Sequence, residues 1–291
     1  MSTKFLVPLA LCPIALSLSL NANACTAFAA NGKDFVAGGG TLITKVRDQI
    51  MTGQVVKTVY PSSGHAYFGL FNGKKEFFNM GINEKGFVAF ATTAGSIPKK
   101  ERLQVKTFRT SDGLTGLEFM MRNCGSVQEA LSHTEIFQHR PVNYVMADAK
   151  QIAFVEVLPN GTFKTVVKDN GMLTHTNHYI IEESRQFNKK VSESSQSRLD
   201  RIQTLLKEHK KPFTMDDFIN FTEDRHAGLD NSIFRLGSKD TLPSTLSTMV
   251  VHIPENGAPK LYMKWRDKRN DRDSWQMLST EVDFTKGNDL K

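Results

Sequence analysis

Cys25 is the residue whose position could do chemistry by itself. It follows Ala22-Asn23-Ala24, and ahead of those small residues Phe5 to Leu20 form an almost unbroken apolar stretch behind the single positive charge of Lys4. A short basic start, an apolar run and small residues at the cleavage positions mark a secretory signal peptide. The stretch is too short, and its exit too small and polar, for a spanning helix. Cutting after Ala24 would leave Cys25 as the first residue. A terminal cysteine carries a thiol and an α-amine on one carbon, with ordinary pKa values of about 8.5 and about 7.7–8. Near neutrality the amine can take the thiol's proton, so nucleophile and base come from one residue. Such a site needs only an oxyanion stabiliser and groups that hold the amine.

Two other fates of Cys25 stay open on position alone. It could be the lipid-modified cysteine of an envelope or binding protein, although Ala22 stands where a large apolar residue is expected in such a signal. It could also be structural and bonded to Cys124, the third cysteine, Cys12, lying in the leader. An exported chain with two cysteines holds at most one disulfide. Its stability must come from a core, and 40% apolar residues suffice for one.

Thr174-His175-Thr176-Asn177-His178 is the other cluster that could do chemistry. In an extended segment His175 and His178 point to opposite faces, whereas His175 and Asn177 share one. No carboxylate or cysteine is spaced to complete a zinc site, so neither a metal nor a cofactor is expected.

From Cys25 onward the chain resembles a branch of the N-terminal-nucleophile hydrolase superfamily, the one containing choloylglycine (bile salt) hydrolase, penicillin V acylase and isopenicillin-N acyltransferase. Six segments carry the resemblance in the family's order. They are Cys25-Thr26-Ala27-Phe28, Gly40 to Asp48, Gly81 to Phe87, Ala147-Asp148-Ala149 with Val155-Glu156, Thr174 to His178, and Asn231 to Arg235. The likeness thins after about Trp265.

The resemblance implies an α+β fold, the four-layer αββα sandwich with two antiparallel sheets. It implies that Cys25 attacks an amide carbonyl to form a thioester, which water or an amine then takes up. Asp48 would hold the Cys25 amine, and Asn177 would donate its side-chain amide to the oxyanion. A second oxyanion donor would come from Thr93, through its backbone N–H. Arg235 would lie near Cys25 and the substrate carbonyl. Lys45 stands where the bile salt hydrolases place an arginine and becomes a substrate-binding candidate, with Arg47 close by. His226 resembles a histidine of the acyltransferase members and takes no catalytic task. Asn83 to Gly86 reads as a hairpin turn. The substrate would be a small N-acyl amide, and a homo-oligomer is compatible with the family.

The surrounding elements must position these residues. Alternation and turn signals predict strands over 34–45, 54–60, 65–71, 87–93, 143–147, 153–158, 163–167, 248–253 and 260–264. Helices are expected over 113–123, from a capping box at Ser126–Glu129, over 192–209, and from a Thr214 cap to Phe221. A polar tail should follow. Strands and helices in blocks argue α+β with largely antiparallel sheets. Without repeats or linkers, 25–291 reads as one domain after a 1–24 signal peptide. The net charge of +7 is spread along the chain. No aromatic-interleaved basic stripe suggests nucleic acid, so the charge supports at most a mild preference for anionic substrates or an anionic envelope surface.

Overall fold

Where β1 begins follows from composition: Ala24 to Asn31 is a run of small and apolar residues buried on both faces. The computed structural model describes residues 24–73, 76–267 and 273–285. The expected signal peptide therefore lies outside the described residues except for Ala24, which is the first residue of β1 (Ala24–Asn31).

The strands continue as β2 (Thr41–Gln49), β3 (Gln54–Val59), β4 (Tyr67–Asn72), β5 (Phe77–Asn83), β6 (Val88–Thr93), β7 (Val142–Ala147), β8 (Ile152–Val157) and β9 (Phe163–Lys168). β10 (Gly171–His175), β11 (Ser244–Ile253), β12 (Lys260–Arg266) and β13 (Trp275–Glu281) complete them. The helices are α1 (Lys99–Gln104), α2 (Gly116–Asn123), α3 (Val127–Ser132), α4 (Glu193–Glu208), α5 (Met215–Thr222) and α6 (Gly228–Asn231). One sheet has the order β10-β1-β2-β11-β12-β13; the other is a meander from β3 to β9. All pairings within both sheets are antiparallel.

Strand alternation sorts the side chains into layers. Ala27, Ala29, Ile43 and Met249 of the first sheet meet Phe68, Met80, Ile82 and Phe90 of the second. On the outer side of the first sheet Phe28, Leu42, Val46 and Val250 pack under Ile202 and Leu206 of α4 and Phe218 and Phe221 of α5. On the outer side of the second, Phe87, Ala89 and Met146 lie under Met120 and Met121 of α2 and Val127 of α3. The result is the expected αββα sandwich. Each large side chain so buried contributes about 1.5–3 kcal/mol.

Several boundaries differ from expectation. The strand foreseen over 34–45 starts only at Thr41, because Gly38, Gly39 and Gly40 all take positive φ and turn the chain. At Gly40 a Cβ would fall 2.2 Å from the Ile253 carbonyl oxygen, so nothing larger fits. β1 was not among the expected strands because it begins at Ala24, before the expected cleavage point. β5 was hidden by an extra residue, Asn79, between the pairs Leu70↔Met80 and Phe71↔Phe78, a bulge that breaks the alternation. The polar tail contains β13, an edge strand that exposes Gln276, Ser279 and Glu281 and also Met277.

Helix caps follow chemistry closely. Thr115 with Glu118, and Thr214 with Asp217, form reciprocal capping boxes. Ser126 accepts from the Glu129 N–H as expected, but the Glu129 carboxylate turns to the Gly125 N–H instead of completing the box. Among the described residues, no helix is long and apolar enough to cross a membrane.

Candidate active site

The β1–β2 register sets the site. Cys25 lies opposite Arg47, and Ala24 lies opposite Asp48. Directly opposed residues share a face, so Cys25, Arg47 and Lys45 (opposite Ala27) point between the sheets. Asp48 projects to the α4 side with Thr26 and Val46.

Cys25 is buried and clamped through its backbone. Its N–H donates to Asn177 Oδ1 at 2.8 Å, and its carbonyl accepts from Arg198 Nη1. The same guanidinium donates to Thr26 Oγ1 and to Asn177 Oδ1, both at 2.9 Å. Asn177 Nδ2 donates to the Thr93 carbonyl at 3.0 Å. Two donors on its oxygen and an acceptor on its nitrogen fix which way the amide points. Thr93, foreseen as an N–H donor, contributes its carbonyl to this arrangement.

Asn177 reaches this position because β10 ends at His175 and the chain turns away from the sheet. Thr92 Oγ1 holds the Thr176 carbonyl at 2.7 Å, and Ser195 Oγ accepts the Asn177 N–H at 3.1 Å. The expected sharing of a face by His175 and Asn177 is therefore not found. His175 packs on Phe154 and bonds Glu156 through Nε2 at 3.0 Å, while His178 Nδ1 meets Ser195 Oγ at 2.8 Å. Among the described residues no cluster of three metal-binding side chains is assembled.

Asp48 takes a hydrogen bond on Oδ1 from Thr245 Oγ1 at 2.8 Å. Its Oδ2 accepts none among the described residues and lies 4.0 Å from Arg235 Nη1. Burial raises the Asp48 pKa, opposed by Arg235, Arg198, the Thr245 hydroxyl and Arg47. Arg235 is held by its own backbone, whose N–H donates to Thr245 Oγ1 at 2.8 Å.

Two further cations line the thiol's face. Lys45 is fully buried, donates to the Asn79 carbonyl at 3.2 Å and lies over the Phe90 ring. Burial pushes its pKa down to about 8, with Cys25 opposing and Arg47 adding to the fall. Arg47, pushed down to about 10 by burial, donates to Gln54 at 2.8 Å, Asn72 at 2.6 Å and Asn79 at 3.4 Å, and to Gln49. Neutral amides satisfy its donors without cancelling its charge.

Sequence reasoning missed Arg198. A signal was present: on α4 it shares the buried stripe of Ser195, Leu199, Ile202 and Leu206, where a charged side chain demands a partner. Thr245 gave no signal, being one of several hydroxyls along β11. The alternative of a Cys25–Cys124 disulfide is overturned: both are free. Cys124 belongs to the core under α2, where burial pushes its thiol up to about 12. Asn83 anchors the β5–β6 turn, its Oδ1 accepting the Lys85 and Phe87 N–H groups.

The four-layer sandwich, together with a family match over most of the chain, places it in the N-terminal-nucleophile hydrolase superfamily. Residues 48–270 match the acyl-coenzyme A:6-aminopenicillanic acid acyl-transferase family, and the chain belongs to that family. Among solved structures it resembles penicillin V acylase from Agrobacterium tumefaciens, with 13% identity, 88% of this chain and 86% of that one covered, and a TM-score of 0.54. It also resembles the Caenorhabditis elegans ortholog of N-acylethanolamine-hydrolyzing acid amidase, with 10% identity, 87% and 100% covered, and a TM-score of 0.55. The sequence matches no curated protein.

Proposed function

We propose that the mature protein is an exported cysteine amidase that begins at Cys25 and hydrolyses the linear amide bond of small N-acyl compounds. The carrying observation is the convergence on one residue: Asn177 and Arg198 grip the Cys25 backbone, and Asp48 lies opposite the residue just before it. While Ala24 is attached, the Cys25 nitrogen has one hydrogen, which goes to Asn177. Cleavage after Ala24 gives an amine with hydrogens for both Asn177 and the open Asp48 oxygen.

In this reading the Cys25 thiol passes its proton to the α-amine as Sγ attacks the amide carbon. The negative charge moves to the carbonyl oxygen, where Asn177 Nδ2 donates and the Arg235 field acts; one such donor is typically worth about 10²–10³ in rate. The C–N bond then breaks, and the α-amine returns its proton to the leaving amine. Water attacks the thioester, giving a proton to the α-amine, and the C–S bond breaks to release the acid. Lys45 and Arg47 present positive charge to the sulfur throughout. No metal or cofactor is invoked, and export places the enzyme in the periplasm or outside the cell.

The family match favours a second reading, in which an amine takes the acyl group from the same thioester. Hydrolysis is preferred because an exported enzyme meets water more readily than activated acyl donors. A panel of N-acyl amides assayed for amine release, with and without a competing amine and with a Cys25→Ala control, tests both. Amine release that needs Cys25 supports the amidase; release only with an acceptor amine supports transfer. N-terminal sequencing should read Cys-Thr-Ala-Phe. A fatty acid and diacylglycerol on Cys25 would block the base and end both readings.

A further inference from the structure

A cleft of about 390 Å³ lies between α1, the segment entering α2 and the adjoining ends of β5, β6 and β7. That volume falls within the roughly 300–1,000 Å³ of small-molecule sites. Its walls hold Arg102, Arg109 and Arg140 and no aspartate or glutamate. The hydrogen bonds these guanidinium groups make within the described residues go to backbone carbonyls: Ile97 at 3.1 Å, Gly113 at 2.6 Å and Val105 at 3.1 Å. Carbonyl oxygens satisfy donors but do not neutralise charge. Arg102 feels this crowding, its pKa lowered by burial and then by Arg140.

The rest of the lining combines Phe77, Phe78, Phe108, Leu117 and Tyr144 with the threonines Thr93, Thr107 and Thr115. His139 stacks edge-on against Phe108, and its Nδ1 is buried without a hydrogen-bond partner among the described residues. Three unneutralised cations, an orphaned ring nitrogen and an aromatic floor fit an apolar molecule with an anionic head. Arginine suits a carboxylate, whose two oxygens match its fork. Thr93 lines the same cleft, and its carbonyl holds Asn177, so the cleft adjoins the active site through one residue.

We infer that this cleft binds the carboxylate-bearing, apolar end of a ligand. Given the amidase reading, on which this step rests, that ligand is the substrate: an N-acyl amide that also carries a carboxylate.

Isothermal titration of the mature protein and its Cys25→Ala variant with 2-naphthoate and 2-naphthamide tests the site without turnover. The acid should bind about tenfold or more tightly than the amide in both proteins. Arg140→Gln and the exposed Arg109→Gln should each weaken the acid about tenfold, and Arg140→Lys less so. Equal binding of acid and amide, or undiminished acid binding in both glutamine variants, would overturn the inference. In turnover, Arg140→Gln should raise KM about tenfold for a carboxylate-bearing N-acyl amide and leave its neutral counterpart unchanged. If the acid binds as expected and no amide is cleaved, the site stands and the amidase reading falls. If amides are cleaved but acid and amide bind equally, the site falls alone.

Discussion

Ala24 faces Asp48 directly across the β1–β2 pair, and the Asp48 Oδ2 beside it accepts no hydrogen bond among the described residues. A buried carboxylate oxygen left without a donor costs stability unless something completes it. In the proposed mature protein, a free Cys25 amine would be the group to complete it.

Asp48→Asn keeps the side-chain shape and removes the charge that would hold the amine. In the mature protein kcat should fall about 10²-fold, the scale of a lost acid–base contribution, with KM changed less than about threefold. Steady-state kinetics on any cleaved N-acyl amide measures both, and an unchanged kcat would remove Asp48 from the mechanism.

Arg198 bonds Asn177 and the Cys25 carbonyl, and in the proposed mechanism it is a positioning residue. Arg198→Lys keeps the charge near Asp48 but cannot reach Thr26, Asn177 and the Cys25 carbonyl together. The expected outcome is a kcat loss of about tenfold or more with KM nearly constant. A loss carried by KM instead would assign Arg198 to substrate binding.

What the sequence made legible follows from what each residue type can do alone. The αββα layers were reached through the motif resemblance, and most strands through their alternation. Cys25, Asp48, Asn177 and Arg235 stood in motif segments, and the structure gathers them at one end of the first sheet. Arg198 lies 173 residues from Cys25 in sequence, and only the packing of α4 on β1 makes it a neighbour. The direction of Asn177 was also illegible, since it depends on β10 ending at His175. Asn79 became a ligand of Arg47 and Lys45 through a bulge that alternation cannot signal.

Lys45 carries a charge into the core at a cost. Its folded pKa of about 8 lies below the ordinary 10.5, so the unfolded chain binds the extra proton between those values. Wild-type stability should therefore rise with pH from about 8 to 10.5, the penalty being complete below 8. Lys45→Met should be more stable at pH 7 by up to about 3 kcal/mol, and the gain should shrink toward pH 10.5. Urea unfolding at pH 7 and pH 10 reads this; equal gains at both would contradict it.

His178 behaves in the acid range. Burial, then His175, pushes its pKa down to about 4, with Arg198 adding and Glu156 and Asp200 opposing. Its folded state is neutral where the unfolded chain protonates, so its contribution is complete above about 6.5 and lost as pH falls toward 4. His178→Asn should flatten the slope of unfolding free energy over that window. An unchanged slope would show that another group titrates there.

In the proposed mechanism Cys25 Sγ forms the covalent intermediate while its own amine is free. Turnover of an N-acyl amide quenched in acid, followed by digestion and mass spectrometry of the N-terminal peptide, measures it directly. The expected product is a peptide starting at Cys25 that carries the acyl group as a thioester released by neutral hydroxylamine. An unmodified N-terminal peptide during active turnover, or one still preceded by Ala24, would contradict it.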